Sequence, residues 1–371
     1  MGVFETPLGL LSDLDLDSSE TCLEVLALDK HQIAEGMVVE SLFDQIMARM
    51  PSVMDGDVNV LDVETFIASA GGGGLHAFVW WRTAGPGLGR YLLALEKRFS
   101  VLGVRLSPDG GDFEVCPIRG GKRCEGWSPI HDFLARTGLA RQAPYEVTHD
   151  VRDRKRQFGA FWGYLQHAYG GLLKERVALP RILVNWGIQP WFRYVWNLDR
   201  VLVHGERIWV LEAKHKYPFR RGGQLCFGLN NGEARLLERL GQCGIGGVHV
   251  VVVKPYWDMD TGSMYLLTNY EARQRAMLVG LVVDQRCAAR ILSGSTGTSG
   301  TYTSVTGSSK LAFKTIPVEW FCPLASLSDP DRAADRLVAL MEGRIEDGCT
   351  DGLLEGLRMD ATGGKGAGAS A

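Results

Sequence analysis

Apolar residues recur along this chain in two rhythms, the three-and-four spacing of helices and the continuous or alternating runs of strands. Leu23 to Met50 carries the helical spacing and divides into two helices. Val58 to Leu61 and His76 to Trp81 read as strands, Leu88 to Phe99 as a helix, and Val101 to Leu106 and Phe113 to Pro117 as strands again. A basic stretch, Arg152, Arg154, Lys155 and Arg156, leads into a helix with Phe158, Phe161, Trp162, Leu165 and Tyr169 on one face, which Gly170-Gly171 ends. RILVNW (181–186) reads as a strand, followed by a turn at Pro190. WNLDRVLVHGERIWVLEAKHKY (196–217) reads as two apolar strands turning at His204-Gly205. Asn230-Asn231-Gly232 caps a helix from Glu233 to about Gln242, and HVVVVKP has the unbroken β-branched character of a buried strand. Beyond Asp260 the pattern predicts a helix over about 269–291, a Gly/Ser/Thr loop over 293–309, a strand-like segment over 310–321 and a last helix opened by Ser328-Asp329-Pro330.

This order predicts a mixed α/β fold in four parts: an N-terminal α/β accessory or targeting region (1–145), a core (146–260), a C-terminal extension packing on that core (261–345) and a flexible tail (346–371). Forty basic residues face 43 acidic ones, a formal charge of −3, so any surface for a polyanion must be local. Only eleven of the forty are lysine, which makes a lysine at the end of an apolar strand more noteworthy. Eight scattered cysteines show neither a CxxC pair nor zinc spacing, the expectation for reduced thiols in the cytoplasm. The acidic N-terminus lacks the basic and apolar regions of a secretory signal, and no apolar run is long enough to span a membrane. No glycine run matches a phosphate-binding loop.

The chemistry concentrates in 196–217. Asp199 sits early on the first strand of the expected hairpin. Glu212 and Lys214 sit near the end of the second, two apart and therefore on one face. Two carboxylates and an amine at one end of a sheet are what a divalent metal and an activated water require: a hard cation bound by the carboxylates neutralises the charge shielding a phosphodiester, and an ammonium stabilises what develops. Oxygen ligands favour Mg2+, with Mn2+ as a substitute. The surface reading is an exposed Glu212–Lys214 ion pair worth under ~1 kcal/mol, against which stands the apolar strand IWVL that carries it.

Asp199, Glu212-Ala213-Lys214 and the order of elements around them resemble the PD-(D/E)xK nuclease superfamily, over roughly a hundred residues. Leu198 stands where that family's namesake proline would be. The resemblance implies a restriction-endonuclease-like central mixed sheet flanked by helices, and a metal-dependent nuclease acting on nucleic acid, DNA before RNA. It implies Asp199, Glu212 and Lys214 as catalytic residues, with Asp199, Glu212 and the carbonyl of Ala213 on the metal. The family often adds an acidic residue from its first helix, for which Glu175 is the candidate.

Lys214 to Tyr217 and Phe219 to Arg221 interleave basic and aromatic residues, so Lys216, Tyr217, Arg220 and Arg221 are expected to meet nucleic acid, with Arg235 on the following helix. Glu233 and Arg239 on that helix are further residues able to face the site. Trp186, Trp191, Phe192, Tyr194 and Trp196 are expected in the core rather than as a base-stacking platform. A protein partner or a second copy would be met through the N-terminal region. Two alternatives stay open: an inactive nuclease-like scaffold that binds nucleic acid or assembles, and a DEDD-type exonuclease using Asp62-Val63-Glu64 with Asp132 and Asp153.

Overall fold

Ser18 caps the first long helix by accepting from the Thr21 N–H, and the chain then lays down its elements in a sequence that interrupts one sheet to build another. The structure, a computed structural model, describes residues 4–50, 58–70, 74–143, 145–300 and 306–360. Helices α1 (Ser19–Ala27) and α2 (His31–Met47) precede β1 (Val58–Val60), β2 (Val63–Ser69), β3 (Leu75–Trp81), α3 (Leu88–Leu95), β4 (Ser100–Leu106) and β5 (Phe113–Arg119). Helical turns of mixed pitch run from Arg154 to Trp191, interrupted at Gly170, whose φ of +51° suits glycine. Then come β6 (Tyr194–Leu198), β7 (Arg200–His204), β8 (Arg207–Lys216), β9 (Gln224–Asn230), α4 (Asn231–Gln242) and β10 (Ile245–Val253). The described chain closes with β11 (Met277–Val283), α5 (Gln285–Ser293), β12 (Ala312–Pro317), β13 (Cys322–Ser326), α6 (Pro330–Met341) and α7 (Asp351–Leu357).

The fold is mixed α/β with several sheets. The central sheet has six strands in the order β13-β11-β10-β8-β7-β1. Strands β1, β7 and β8 are antiparallel neighbours, whereas β8 and β10 are parallel. A parallel pair needs a crossover, and α4 provides it. The second sheet begins β6-β2-β3-β4-β5 and lies wholly between β1 and β7 in sequence. The chain therefore leaves the central sheet at Leu61-Asp62 and returns at Asp199. The Leu61 N–H, donating to the Val201 carbonyl at 2.9 Å, ties the two crossings together. Strands β9 and β12 form the middle of a third, smaller sheet.

Alternation along β8 decides what each face meets. Trp209, Leu211 and Ala213 join the apolar cluster that includes Val38, Leu42 and Phe43 of α2. Ile208 and Val210 join the opposite cluster with Ala234, Leu236, Leu237 and Leu240 of α4. Each fully buried leucine there contributes about 1.5–3 kcal/mol, enough in sum to fix α4 against the face on which Glu212 and Lys214 continue the strand.

Four expectations need correction. The boundary at 145 does not separate an accessory region: α2 packs on β8, β1 pairs with β7, and β6 pairs with β2. RILVNW is helical, because Leu179 to Ile188 is buried on nearly every side and a run apolar all round carries no period to read. The helix expected over 269–291 is a short helix (Tyr270–Arg275), strand β11 and α5. MLVGLVV is buried between β10 and β13, where strand and helix look alike in sequence. The tail from 346 contains α7, with Leu354 fully buried and Asp351 accepting from the Leu225 N–H. Within the 293–309 loop, Thr296–Thr298 pairs with β12, while 301–305, like the tail from 361, lies outside the described residues. Among the described residues no helix is long and apolar enough to cross a membrane.

Candidate active site

Asp199 lies between β6 and β7, at the point where the chain passes from one sheet to the other, rather than within a strand. There the β7–β8 ladder, whose last pair is Arg200 with Leu211, gives way to a side chain: Asp199 Oδ2 accepts from the Ala213 N–H at 3.0 Å. This bond fixes the carboxylate against β8. Glu212 and Lys214 emerge one strand over, beside His249 and Val251 of β10. From the opposite side Glu233, in the first turn of α4, reaches the same place; Asn230 caps that helix by accepting from the Gly232 N–H at 2.8 Å.

The three carboxylates surround one ammonium. Lys214 Nζ donates to Glu212 Oε2 at 2.8 Å and lies 3.4 Å from Asp199 Oδ2 and 3.7 Å from Glu233 Oε1. The acidic side chains are 4%, 9% and 14% exposed for Glu212, Asp199 and Glu233, against 28% for Lys214. The environment is thus dry enough to amplify charge. Burial pushes the Glu212 carboxyl well above the ordinary carboxylate range; the Asp199 carboxylate adds to the push and Lys214 opposes it. Burial works against the charge of Lys214 as well, but Asp199, Glu212 and Glu233 outweigh it and hold its proton more tightly than usual.

A further carboxylate comes from α2. Burial, then the Asp199 charge, raise Glu40 to about 7 against the pull of Arg200 and Lys214. Arg200 itself is bound through Nε and Nη2 to Asp44, so it anchors α2 to the start of β7. Glu175, the acidic residue expected from the helix before the hairpin, is exposed, and its backbone carbonyl accepts from Arg82. No described contact joins its side chain to Asp199, Glu212 or Lys214. The helix that carries an acid to this site is α2, which precedes the inserted sheet. The helical repeat around residues 31–47 was readable in the sequence, but its pairing with β8 across the insertion was not.

Of the expected nucleic-acid contacts, Lys216 turns inward to the Gly228 carbonyl at 2.6 Å, and burial lowers its affinity for a proton. Tyr217 lies under Lys254, 5.6 Å from its ring centre. Arg220 is paired with Asp351 and Glu355 of α7, and Arg221 donates to Thr315 Oγ1 at 2.9 Å. The interleaved run is therefore engaged in holding α7 and the third sheet, a role that its spacing alone does not reveal. Arg235 is exposed on α4, and no ion pair of its own is found among the described residues. The Asp62–Glu64 pair is already neutralised: Arg176 grips Asp62 at 2.6 and 3.0 Å, and Arg82 reaches Glu64 at 3.1 Å. Asp153 caps a helix and Asp132 is exposed, so the four acids of the exonuclease alternative do not converge.

Among the described residues no three His, Cys, Asp or Glu side chains form a ready metal cage, and the Lys214 ammonium stands between the carboxylates of Asp199 and Glu212. In kind, the donors suit a hard divalent cation. All are oxygens, their charges exceed the one ammonium among them, and the buried Glu233 Oε1 has no hydrogen-bond partner. Comparison of the chain with family models, curated proteins and solved structures finds no match.

Proposed function

We propose that this protein is a metal-dependent nuclease of the PD-(D/E)xK type, acting on DNA before RNA. The observation that carries the reading is the convergence of Asp199, Glu212 and Glu233 on Lys214 at the end of β8. The order of elements supports it: α2, then antiparallel β1, β7 and β8, then α4 and β10 parallel to β8, is an order compatible with the restriction-endonuclease-like core that the resemblance implies, on this reading with the second sheet inserted after its first strand.

Asp199 and Glu212, with the Ala213 carbonyl and with Glu233 close by, would hold a hard divalent cation, which when bound neutralises phosphate charge and makes water more acidic. In an extended strand the N–H and C=O of one residue share an edge, so the Ala213 carbonyl points to the side on which its N–H meets Asp199. Asp199 keeps its orientation through that bond. Lys214 holds its proton tightly, which suits donation to a developing oxyanion better than service as the base. Glu233, whose Oε1 has no hydrogen-bond partner among the described residues, is positioned to orient a water.

The test is purified protein with DNA and RNA plus Mg2+ or Mn2+, wild type beside Glu212→Ala and Lys214→Ala. Cutting by wild type and loss of about a hundredfold or more in either variant is the expected outcome. Equal cutting by the variants would sink the reading. One observation favours a second reading, a nucleic-acid-binding scaffold: the ammonium already occupies the place between the carboxylates and donates to Glu212. Binding with no turnover under any divalent cation would select it.

A further inference from the structure

Five aromatic residues precede the hairpin, and the fold treats them differently. Trp186, Trp191 and Phe192 are buried. Tyr194 and Trp196 are not: they stand two apart on one face of β6, an edge strand, with Tyr194 45% exposed. Their rings stack, with centroids 5.8 Å apart and planes at 19°. The Arg193 guanidinium lies over the Tyr194 ring, 5.2 Å from its centre.

The pair is beside the candidate active site. Gly232, the residue before Glu233, has no side chain where Trp196 packs; a Cβ there would lie 3.1 Å from the indole. Trp196 is three residues from Asp199 along the chain. Arg235 and Arg239 follow Gly232 by three and seven positions on α4 and so share its side of the helix, both exposed. Neither makes an ion pair among the described residues. Aromatic faces, two guanidinium groups without an ion pair among the described residues, a third over the Tyr194 ring and a neighbouring carboxylate cluster thus follow one another along β6 and α4.

We propose that Tyr194 and Trp196 form a stacking platform for the bases of a single-stranded nucleic acid, whose phosphates Arg193, Arg235 and Arg239 hold. This rests on the nuclease reading for what happens next, but not for the binding itself. A single strand is the occupant because it offers unstacked base faces, which a duplex keeps buried, and because the basic side chains match its phosphates. A base entering beside Tyr194 replaces the guanidinium over the ring, leaving Arg193 free for a phosphate.

The experiment is fluorescence anisotropy of a labelled single-stranded oligothymidylate and of a labelled duplex, with the full-length protein in EDTA. Wild type should prefer the single strand. Tyr194→Ala and Trp196→Ala should each weaken single-strand binding by about tenfold, and Trp196→Phe should restore it. Tyr270→Ala, which removes a residue 74% exposed elsewhere, should change nothing. Circular dichroism checks that each variant is folded, and Tyr194→Ala carries the test if Trp196→Ala is not. Equal binding by folded Tyr194→Ala and wild type overturns the proposal, as does preference for the duplex, or capture of a peptide strand on β6 with no oligonucleotide binding. Single-strand binding without cutting in Mg2+ would leave the platform standing and remove the nuclease; cutting with unaltered Tyr194→Ala binding would do the reverse.

Discussion

Glu212→Gln should make the protein more stable and inactive at once. The terms can be weighed from the geometry. In the native state the Glu212 charge gains about 6 kcal/mol from Lys214 at the short contact, taking an effective dielectric near 20. Asp199 and Glu233 contact the same ammonium, so each lies within about 6 Å of the Glu212 carboxylate and repels it by about 3 kcal/mol at that dielectric. Attraction and repulsion nearly cancel, and the desolvation of a carboxylate on a side chain only 4% exposed, several kcal/mol in a folded protein, decides the sign. Glutamine keeps the shape, still accepts from Lys214, and avoids that cost. Because the folded carboxyl binds its proton more tightly than the unfolded one, ionisation costs nothing well below the unfolded pKa. The loss of stability grows as pH rises from there toward the folded value. Glu212→Gln should therefore match wild type near pH 4 and exceed it by about 1–3 kcal/mol at pH 8, measured by urea denaturation in EDTA. On the proposed metal site, the order should reverse with Mg2+, which only the wild-type carboxylate would hold. A variant less stable than wild type at pH 8 in EDTA would refute the reasoning.

Other outcomes follow from the same geometry. Glu40, raised to about 7, must lose its proton beside a bound cation, so Mn2+ affinity should rise between pH 6 and 8 and binding should release protons; calorimetry in buffers of different ionisation enthalpy reads both. Glu233→Gln should lower Mg2+-dependent cutting about tenfold or more while shifting the denaturation midpoint little, and unchanged cutting would remove Glu233 from the site. Arg176→Ala should cost about 1–3 kcal/mol by leaving Asp62 short of its bidentate partner, yet should leave cutting intact. A selective loss of activity in Arg176→Ala would reopen the case for Asp62 and Glu64.

Much of the fold was legible because its signals are local. The two N-terminal helices, the hairpin and the cap at Asn230 each announce themselves within a few residues. In the candidate site, Glu212 and Lys214 were legible for the same reason, since alternation on one apolar strand fixes a face, whereas Asp199 reaches them from the link between two strands by accepting from the Ala213 N–H. What was hidden is non-local. Glu40 joins the site through the packing of α2 on β8, which no spacing within either element encodes. The run from Lys216 to Arg221 has the composition of a polyanion-binding loop, but its partners, Asp351 and Glu355, lie in a helix far downstream. MLVGLVV and RILVNW show the other limit. With every side buried, composition no longer separates strand from helix.

The pairing of Val58 with His204 couples closure of the central sheet's edge to the folding of the inserted sheet. The edge of the central sheet closes only when the chain has returned from the second sheet, so this contact costs the entropy of a very long loop unless the inserted sheet has already folded and shortened it. Asp199 is the residue at that closing seam, and Glu40 comes from the far side of it. Glu40 is then the acid that joins the site across the insertion, whereas Asp199, Glu212 and Glu233 lie close in sequence and meet through β7, β8 and α4; a divalent cation bound as proposed would favour the assembled form. Magnesium should slow unfolding and leave the early folding phases as they are.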